Sequence, residues 1–352
     1  MLKDTLIKAV KGGEPLINEV DLSGGDYQGA DLGGGTFESV NFSGANLSGA
    51  KLKECNFINC TFTKAKLDGA NLILANFIEP NGEGISIKGS DLRLANFIDA
   101  NFTQADLSDA NLENTSFINP LMHQAKFIGA KLTQCNFINA NLEQADFSNV
   151  IMFRANFIEA QVQDIIFTGA HLELPFFMKA DFTGYDFTKV GLIKPQFQET
   201  ILIGANFMGM DLSQASFMEA DLSDANFRNV QAKQANFIKA NLSHADFSQA
   251  KMQQTLLQEA NLTDVNFSGI IAEQALMVKT DCTGAIFDGA DLTYVDLSHA
   301  KLIRANLSNT TLYRTNLHEI VEQDTQWFNA DRKIALGTDE MKKKAENWQA
   351  PQ

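Results

Sequence analysis

The stretch Ala125–Val150, AKFIGAKLTQCNFINANLEQADFSNV, decides how the chain folds. Every fifth residue in it is large and apolar: Phe127, Leu132, Phe137, Leu142 and Phe147. Two places before each stands a small residue, Ala125, Ala130, Cys135, Ala140 and Ala145, and the other three places hold mostly Asn, Asp, Ser, Gly, Gln or Lys. With the large residue as the centre, the register runs from Leu22 to Leu317 without insertion or deletion, through 60 pentapeptides. The centres include 25 Leu and 24 Phe, so 24 of the 27 phenylalanines occupy one position in five. Gly82, Ala232, Ala272 and Cys282 are the centres that depart badly.

A period of five matches neither the 3.6 of a helix nor the 2 of a strand, so another winding must bring the centres together. A second period identifies it. Phe37, Phe57, Phe77, Phe97, Phe117, Phe137, Phe157, Phe177, Phe197, Phe217 and Phe237 form an unbroken series at intervals of twenty. Leu32, Leu52, Leu72, Leu92, Leu112 and Leu132 form another, and like residues spaced this way stack on one another. The sequence therefore predicts coils of four pentapeptides, with the centre and the small residue inward and three residues outward. About 15 such coils at ~4.8 Å per layer would make one elongated domain of roughly 70 Å.

The A(D/N)LXX units, such as Ala105-Asp106-Leu107, Ala110-Asn111-Leu112, Ala220-Asp221-Leu222 and Ala290-Asp291-Leu292, resemble those of the pentapeptide-repeat proteins over about 85% of the chain. The resemblance implies an all-β solenoid, a right-handed quadrilateral β-helix, whose handedness periodicity does not itself supply. It implies a fold and not one activity. The expected organisation is a capping helix over 1–14, the β-helix over 15–317 with repeats beginning around Pro15, and a C-terminal cap with a helix over 318–352. In the first helix, Leu2, Leu6, Ile7 and Val10 share a side that would cover the open first coil.

A net charge of -15 argues against nucleic acid as a direct ligand and leaves a basic protein partner open. Cys55, Cys60 and Cys135 fall at small inward positions and Cys282 at a centre, a pattern of core thiols rather than a disulfide or metal framework. The N-terminal apolar stretch is too short and too charged for a signal peptide, and no run reaches membrane-spanning length, so a cytoplasmic bacterial protein without membrane insertion is expected. His123, His171, His244, His299 and His318 are expected on different faces and coils, with no pair in ligand or triad geometry. No catalytic, cofactor or metal site is anticipated.

The most informative outward feature follows the all-Phe series. Ile58, Ile78, Ile98, Ile118, Ile138, Ile158, Met178, Met218 and Ile238 stand just after its centres, interrupted by Gln198, in a place that should face water. Either β-branched residues stabilise a sheet by ladder contacts, or the stripe docks another protein or a second copy. Asn56, Asn76, Asn96, Asn136 and Asn156 could form an amide ladder beside it, and Gln214, Gln234, Gln254 and Gln274 another elsewhere. Near Met178 the pattern roughens, with Phe153, Leu174, Phe176 and Ile193 at outward positions, Tyr185 where Ala is expected, and Pro175 and Pro195. These are either anchor residues or a bulge that buries them. Met341, Ala345 and Trp348 share one face of a final helix that either folds onto the last coil or pairs with a copy.

The reading that follows is a non-catalytic protein-interaction module, docking or forming a homodimer through the Ile/Met stripe. One alternative, drawn from the family's quinolone-resistance members, is an acidic DNA mimic that binds a type II topoisomerase, although this chain has no room for the inserted loops common in them. Another is a bacterial secretion-system or effector-associated accessory protein.

Overall fold

The computed structural model describes residues 1–13 and 16–348, so Glu14, Pro15 and the boundary expected between them lie outside the described residues. The chain divides into two compact units, residues 1–181 with 189–192, and residues 182–188 with 193–352. Both are β-solenoids with a twenty-residue register.

A pentapeptide has five backbone N–H groups, and the coil employs all of them. In the first unit Asp106 N donates back to Ile85 O (2.9 Å), while Leu107 N and Asp109 N donate forward to Lys126 O (2.7 Å) and Ile128 O (2.9 Å). Ala110 N closes the turn onto Leu107 O (3.2 Å), and Ser108 N takes the Asp106 side chain (Oδ1, 3.1 Å). The second unit repeats the scheme at Asp221–Ala225, where Ser223 N donates to Asp221 Oδ1 at 3.1 Å. Asn or Asp is therefore favoured before the centre because its carboxylate or amide oxygen satisfies the one N–H that the ladder leaves over.

A second kind of corner is more extended. In the first unit the strands are β1 (Ile17–Asn18), β2 (Thr36–Glu38), β3 (Asn56–Ile58), β4 (Asn76–Ile78), β5 (Asn96–Ile98), β6 (Ser116–Ile118), β7 (Lys131–Thr133), β8 (Asn136–Ile138), β9 (Ile151–Phe153) and β10 (His171–Glu173). Strands β1–β6 and β8 form one parallel sheet with Phe57, Phe77, Phe97, Phe117 and Phe137 in register. Strands β7, β9 and β10 pair on another face. An eleventh strand, β11 (Gly191–Ile193), falls where the two units divide. Pro80, Pro120, Pro175 and Pro195 occupy the small position directly after β4, β6, β10 and β11. Proline has no N–H, so it fits corners that need no turn bond such as Ala95 N to Leu92 O.

The core is the column of centres. Rings one coil apart stack at 4.7 Å for Phe57–Phe77 and Phe77–Phe97 and at 4.8 Å for Phe97–Phe117. Neighbouring columns meet edge to face, as for Phe127 and Phe137 at 5.4 Å and 89°. The second unit packs alike, with Phe207–Phe227 at 5.0 Å and Phe217–Phe237 at 5.0 Å. These are the favoured aromatic geometries, obtained without adjusting the backbone. At the degenerate stretch, Gly82 keeps the ladder (N to Asn101 O, 2.7 Å), and the ring of Phe102 fills the space its side chain would need.

The ends differ from expectation. In α1 (Lys3–Lys11) Leu6 is fully buried and Ile7 and Val10 are half-buried, while Leu2, ahead of the helix, is 80% exposed and takes no part in the anticipated apolar face. Tyr27 Oη, donating to Met1 O (3.1 Å), and the Lys11–Asp31 ion pair (2.9 Å) hold the helix down. At the other end the ladder passes Leu317, where the cap was expected to begin, and continues to Leu336. The helix α2 (Glu340–Glu346) follows, capped by Asp339, which accepts from Met341 N and Lys342 N. No helix among the described residues is long and apolar enough to cross a membrane.

Replacing Gly82 by Leu would restore the repeat consensus, yet a Cβ there lies 2.5 Å from Phe102 Cε1. We expect Gly82→Leu to destabilise the fold by ~1–3 kcal/mol in urea titration, the cost of overpacking, and Phe102→Leu added to it to recover part of that loss.

Candidate functional site

On the face of β3–β6 and β8, Ile58, Ile98, Ile118 and Ile138 are half-buried and Ile78 is 37% exposed. Successive strands shade one another's side chains, so the row presents less apolar area than the sequence suggests. Two amide ladders border it. On one side Asn76 Nδ2 donates to Asn56 Oδ1 (3.0 Å) and Asn96 Nδ2 to Asn76 Oδ1 (2.9 Å). Ser116 interrupts this ladder before Asn136, and Asn156 Oδ1 is buried without a partner, so the expected five-residue ladder is a three-residue one. On the other side Asn139, Asn119 and Asp99 are joined at 3.0 Å each.

The stripe changes character at Ile158. Ile158 and Met178, half-buried, stand in tight turns rather than strands. Beside them the first unit gathers Phe153 and Leu174, both half-buried, and Phe176, which is 42% exposed and occupies the place that Asn156 holds one coil earlier. The Arg154 guanidinium lies 5.0 Å over the Phe153 ring. Phe176 is thus an outward aromatic and is not swallowed by a bulge. Ile151, 63% exposed on the adjoining face, belongs to the same apolar neighbourhood and was overlooked; its signal was an apolar residue in a place that usually holds Asn, Asp or Lys. Ile193, 38% exposed, falls in the second unit, as do Met218 and Ile238, half-buried in tight turns.

In the second unit the expectation about histidines is overturned. His299 and His318 lie on successive coils, joined by His299 N to His318 O (2.9 Å), with rings edge to face at 5.3 Å. Helix α2 closes over them: Glu346 Oε2 is 3.1 Å from Nε2 of buried His318 and 3.4 Å from Nε2 of His299. The His318 contact holds the Glu346 carboxyl below its ordinary pKa. Nδ1 of His318 accepts from Asp339 N (3.0 Å), and Lys343 pairs with Glu319 (3.0 Å). The helix therefore docks by its polar face, while Met341 (77%) and Trp348 (70%) are exposed together with Ala345. Trp327 is half-buried, donates to Glu322 Oε2 (3.0 Å) and carries Arg332 at 4.4 Å over its ring.

The expected glutamine ladder is present, with Gln214, Gln234, Gln254 and Gln274 linked at 3.2, 2.9 and 2.8 Å. A second one, Gln104–Gln124–Gln144, went unremarked in the sequence. All four cysteines are free and buried. Burial pushes the thiols of Cys55 and Cys282 up to about 12 and that of Cys60 to about 11, and that of Cys135 also well upward.

The coil accounting and the column of centres define a solenoid built from five-residue units. Family comparison agrees: the pattern described as pentapeptide repeats, in 8 copies, matches segments from residues 17–53 to 290–320, and a pentapeptide repeat region matches 180–251. The chain belongs to the pentapeptide-repeat family and has its right-handed quadrilateral β-helix. Among solved structures it is similar to trypsin-treated QnrB1, a plasmid-mediated fluoroquinolone resistance protein (20% identity, 51% of this chain and 89% of that one, TM-score 0.40). It is also similar to Rfr23 from the cyanobacterium Cyanothece 51142 (23% identity, 38% and 90%, TM-score 0.26). A third is HetL from Nostoc sp. strain PCC 7120, involved in heterocyst differentiation regulation (19% identity, 96% and 98%, TM-score 0.15). No curated protein matches.

Raised thiol pKa values favour the folded state below the unfolded thiol's pKa, and that contribution is lost as pH climbs through the folded values. Native protein at pH 8 should leave all four thiols unreacted with a disulfide reagent, and guanidinium-unfolded protein should react four times. Stability measured against pH should begin to fall above about 9 and continue falling towards about 12.

Proposed function

We propose that this protein is a non-catalytic interaction module whose first unit docks a protein surface along the Ile58–Met178 stripe, anchored by Phe176. The carrying observation is Phe176, 42% exposed beside Ile158 and Met178 in turns where strand pairing does not call for apolar side chains. A stacked solenoid holds these groups rigidly, so binding them costs little ordering entropy. Ile193, Met218 and Ile238, in the second unit, are candidate apolar contacts of that unit. The occupant is either a partner of complementary shape or a second copy, in keeping with a bacterial cytosolic protein.

Topoisomerase binding by DNA mimicry draws support from the charge of -15 alone. The acids are spaced among amides, as in Asp186 joined to Asn206 and Asp221 joined to Asn241, and among lysines, as in Lys88–Asp106, which breaks up an ordered negative face. The secretion-accessory reading has no residue of its own to support it.

Light scattering and pull-down on three proteins test the proposal. Phe176→Glu should keep the wild-type melting temperature and weaken self-association or partner capture at least tenfold. Changing Ile98, Ile118 and Ile138 together to Ser should weaken binding and also lower stability, since these residues stack in strands. If Phe176→Glu leaves both mass and capture unchanged, the surface is not the dock.

A further inference from the structure

Among the described residues, a cluster of two histidines and a glutamate that the interaction reading leaves unused lies at the C-terminal helix. We propose that His299, His318 and Glu346 bind a divalent ion of the zinc class, which staples α2 to the last histidine-bearing coils of the second unit.

The donor set comes from three separate places in the chain. His299 is at a turn position of one coil, with φ of 60°, and His318 follows a centre of the next. Glu346 is the last residue of α2. One ligand atom from each lies within 4.8 Å of the others. Two of the edges, 3.4 Å from Glu346 Oε2 to His299 Nε2 and 3.1 Å to His318 Nε2, approach the ~3.3–3.5 Å between ligands around a tetrahedral ion with bonds of about 2.0–2.2 Å. Two imidazoles and a carboxylate suit Zn²⁺ rather than Mg²⁺ or Ca²⁺, which take oxygen ligands. Three protein donors leave a fourth position for water.

The hydrogen bonds around His318 determine what binding changes. Its Nδ1 accepts from Asp339 N (3.0 Å), so the neutral ring carries its proton on Nε2, facing Glu346. An ion at Nε2 displaces that proton, and Nδ1 then becomes the protonated nitrogen. The Asp339 N–H bond is exchanged for one donated by Nδ1–H, for which the Asp339 carboxylate, at the same helix end, is the acceptor at hand. Without the ion α2 is held by the histidine–glutamate hydrogen bond and the Lys343–Glu319 pair; with it, by coordination.

The full-length protein, stripped with a chelator, is titrated with Zn²⁺ by calorimetry at pH 7.5 and at pH 5.5. One equivalent should bind at pH 7.5 and at least tenfold more weakly at pH 5.5, where the imidazoles are protonated. His299→Gln and Glu346→Gln both alter partly exposed side chains, and the amide oxygen that Glu346→Gln leaves in place can still accept from His318 Nε2–H, so both should fold when metal-free and bind Zn²⁺ at least tenfold more weakly. Hydrogen exchange should show added protection across α2 and reduced protection at the Asp339 amide, in the wild type alone. Failure of the wild type to bind one equivalent, or equal binding by wild type and both variants, overturns the site. Binding without added protection of α2 overturns the staple.

Discussion

The fold depends on the disposal of backbone N–H groups. Three of the five in a pentapeptide cross to neighbouring coils and one closes the turn, as at Asp106–Ala110. The fifth takes the side chain before the centre, in that case Asp106 itself. A one-residue insertion would shift every subsequent N–H against its acceptor, and each buried group left unmatched costs ~1–3 kcal/mol. This explains a register kept through 60 units while residue identities drift. It also explains why the outward position tolerates Leu121, Lys126 or Ile151 in place of Asn or Asp: the fifth N–H lies near solvent, where water can replace the side chain.

Much of the architecture was readable because two periods, five and twenty, report two different contacts. The five reports the inward residue of each corner, and the twenty reports stacking, which the Phe57–Phe77–Phe97 column realises at 4.7 Å per step. The distinction between corners was also present in the letters without being recognised. Pro80, Pro120, Pro175 and Pro195 mark extended corners because they cannot close a turn. The division into two units was less readable, since the pentapeptide register passes through residues 181–193 unbroken and only the concentration of Tyr185, Pro195 and Gly191 hints at irregularity there.

The histidine–glutamate cluster was hidden for a geometric reason. His299 and His318 are 19 residues apart, not 20, so sorting by the repeat assigns them to different columns. One occupies the second outward place of its turn and the other the first, and their rings meet because the side chains lean towards each other across the coil spacing. Glu346 lies beyond the repeat, on a helix whose docking no periodicity encodes. The same helix misled the pattern in the opposite direction: Met341, Ala345 and Trp348 form an apolar face that is exposed, because the ionic contacts at His318 and Glu319 take the other side.

Separating the two corner types also separates the two explanations of the isoleucine stripe. From Ile58 to Ile138 the residue after the centre is in a strand, where β-branching and cross-strand contact explain isoleucine without any partner. From Ile158 onward the same face returns to tight turns, the setting in which other corners place Ser108, Thr103 or Glu113. A turn offers no ladder that favours a large apolar side chain, yet Ile158 and Met178 persist there and Phe176 replaces an asparagine beside them. Ile73, Ile128, Ile203 and Ile303 hold the same place in other tight turns, so the coil accepts an apolar residue there, and the outward Phe176 is what sets this neighbourhood apart. The strand-borne isoleucines and the turn-borne residues are therefore different in kind: the former are explained by strand pairing within the first unit, and the latter are outward apolar residues that such pairing does not explain.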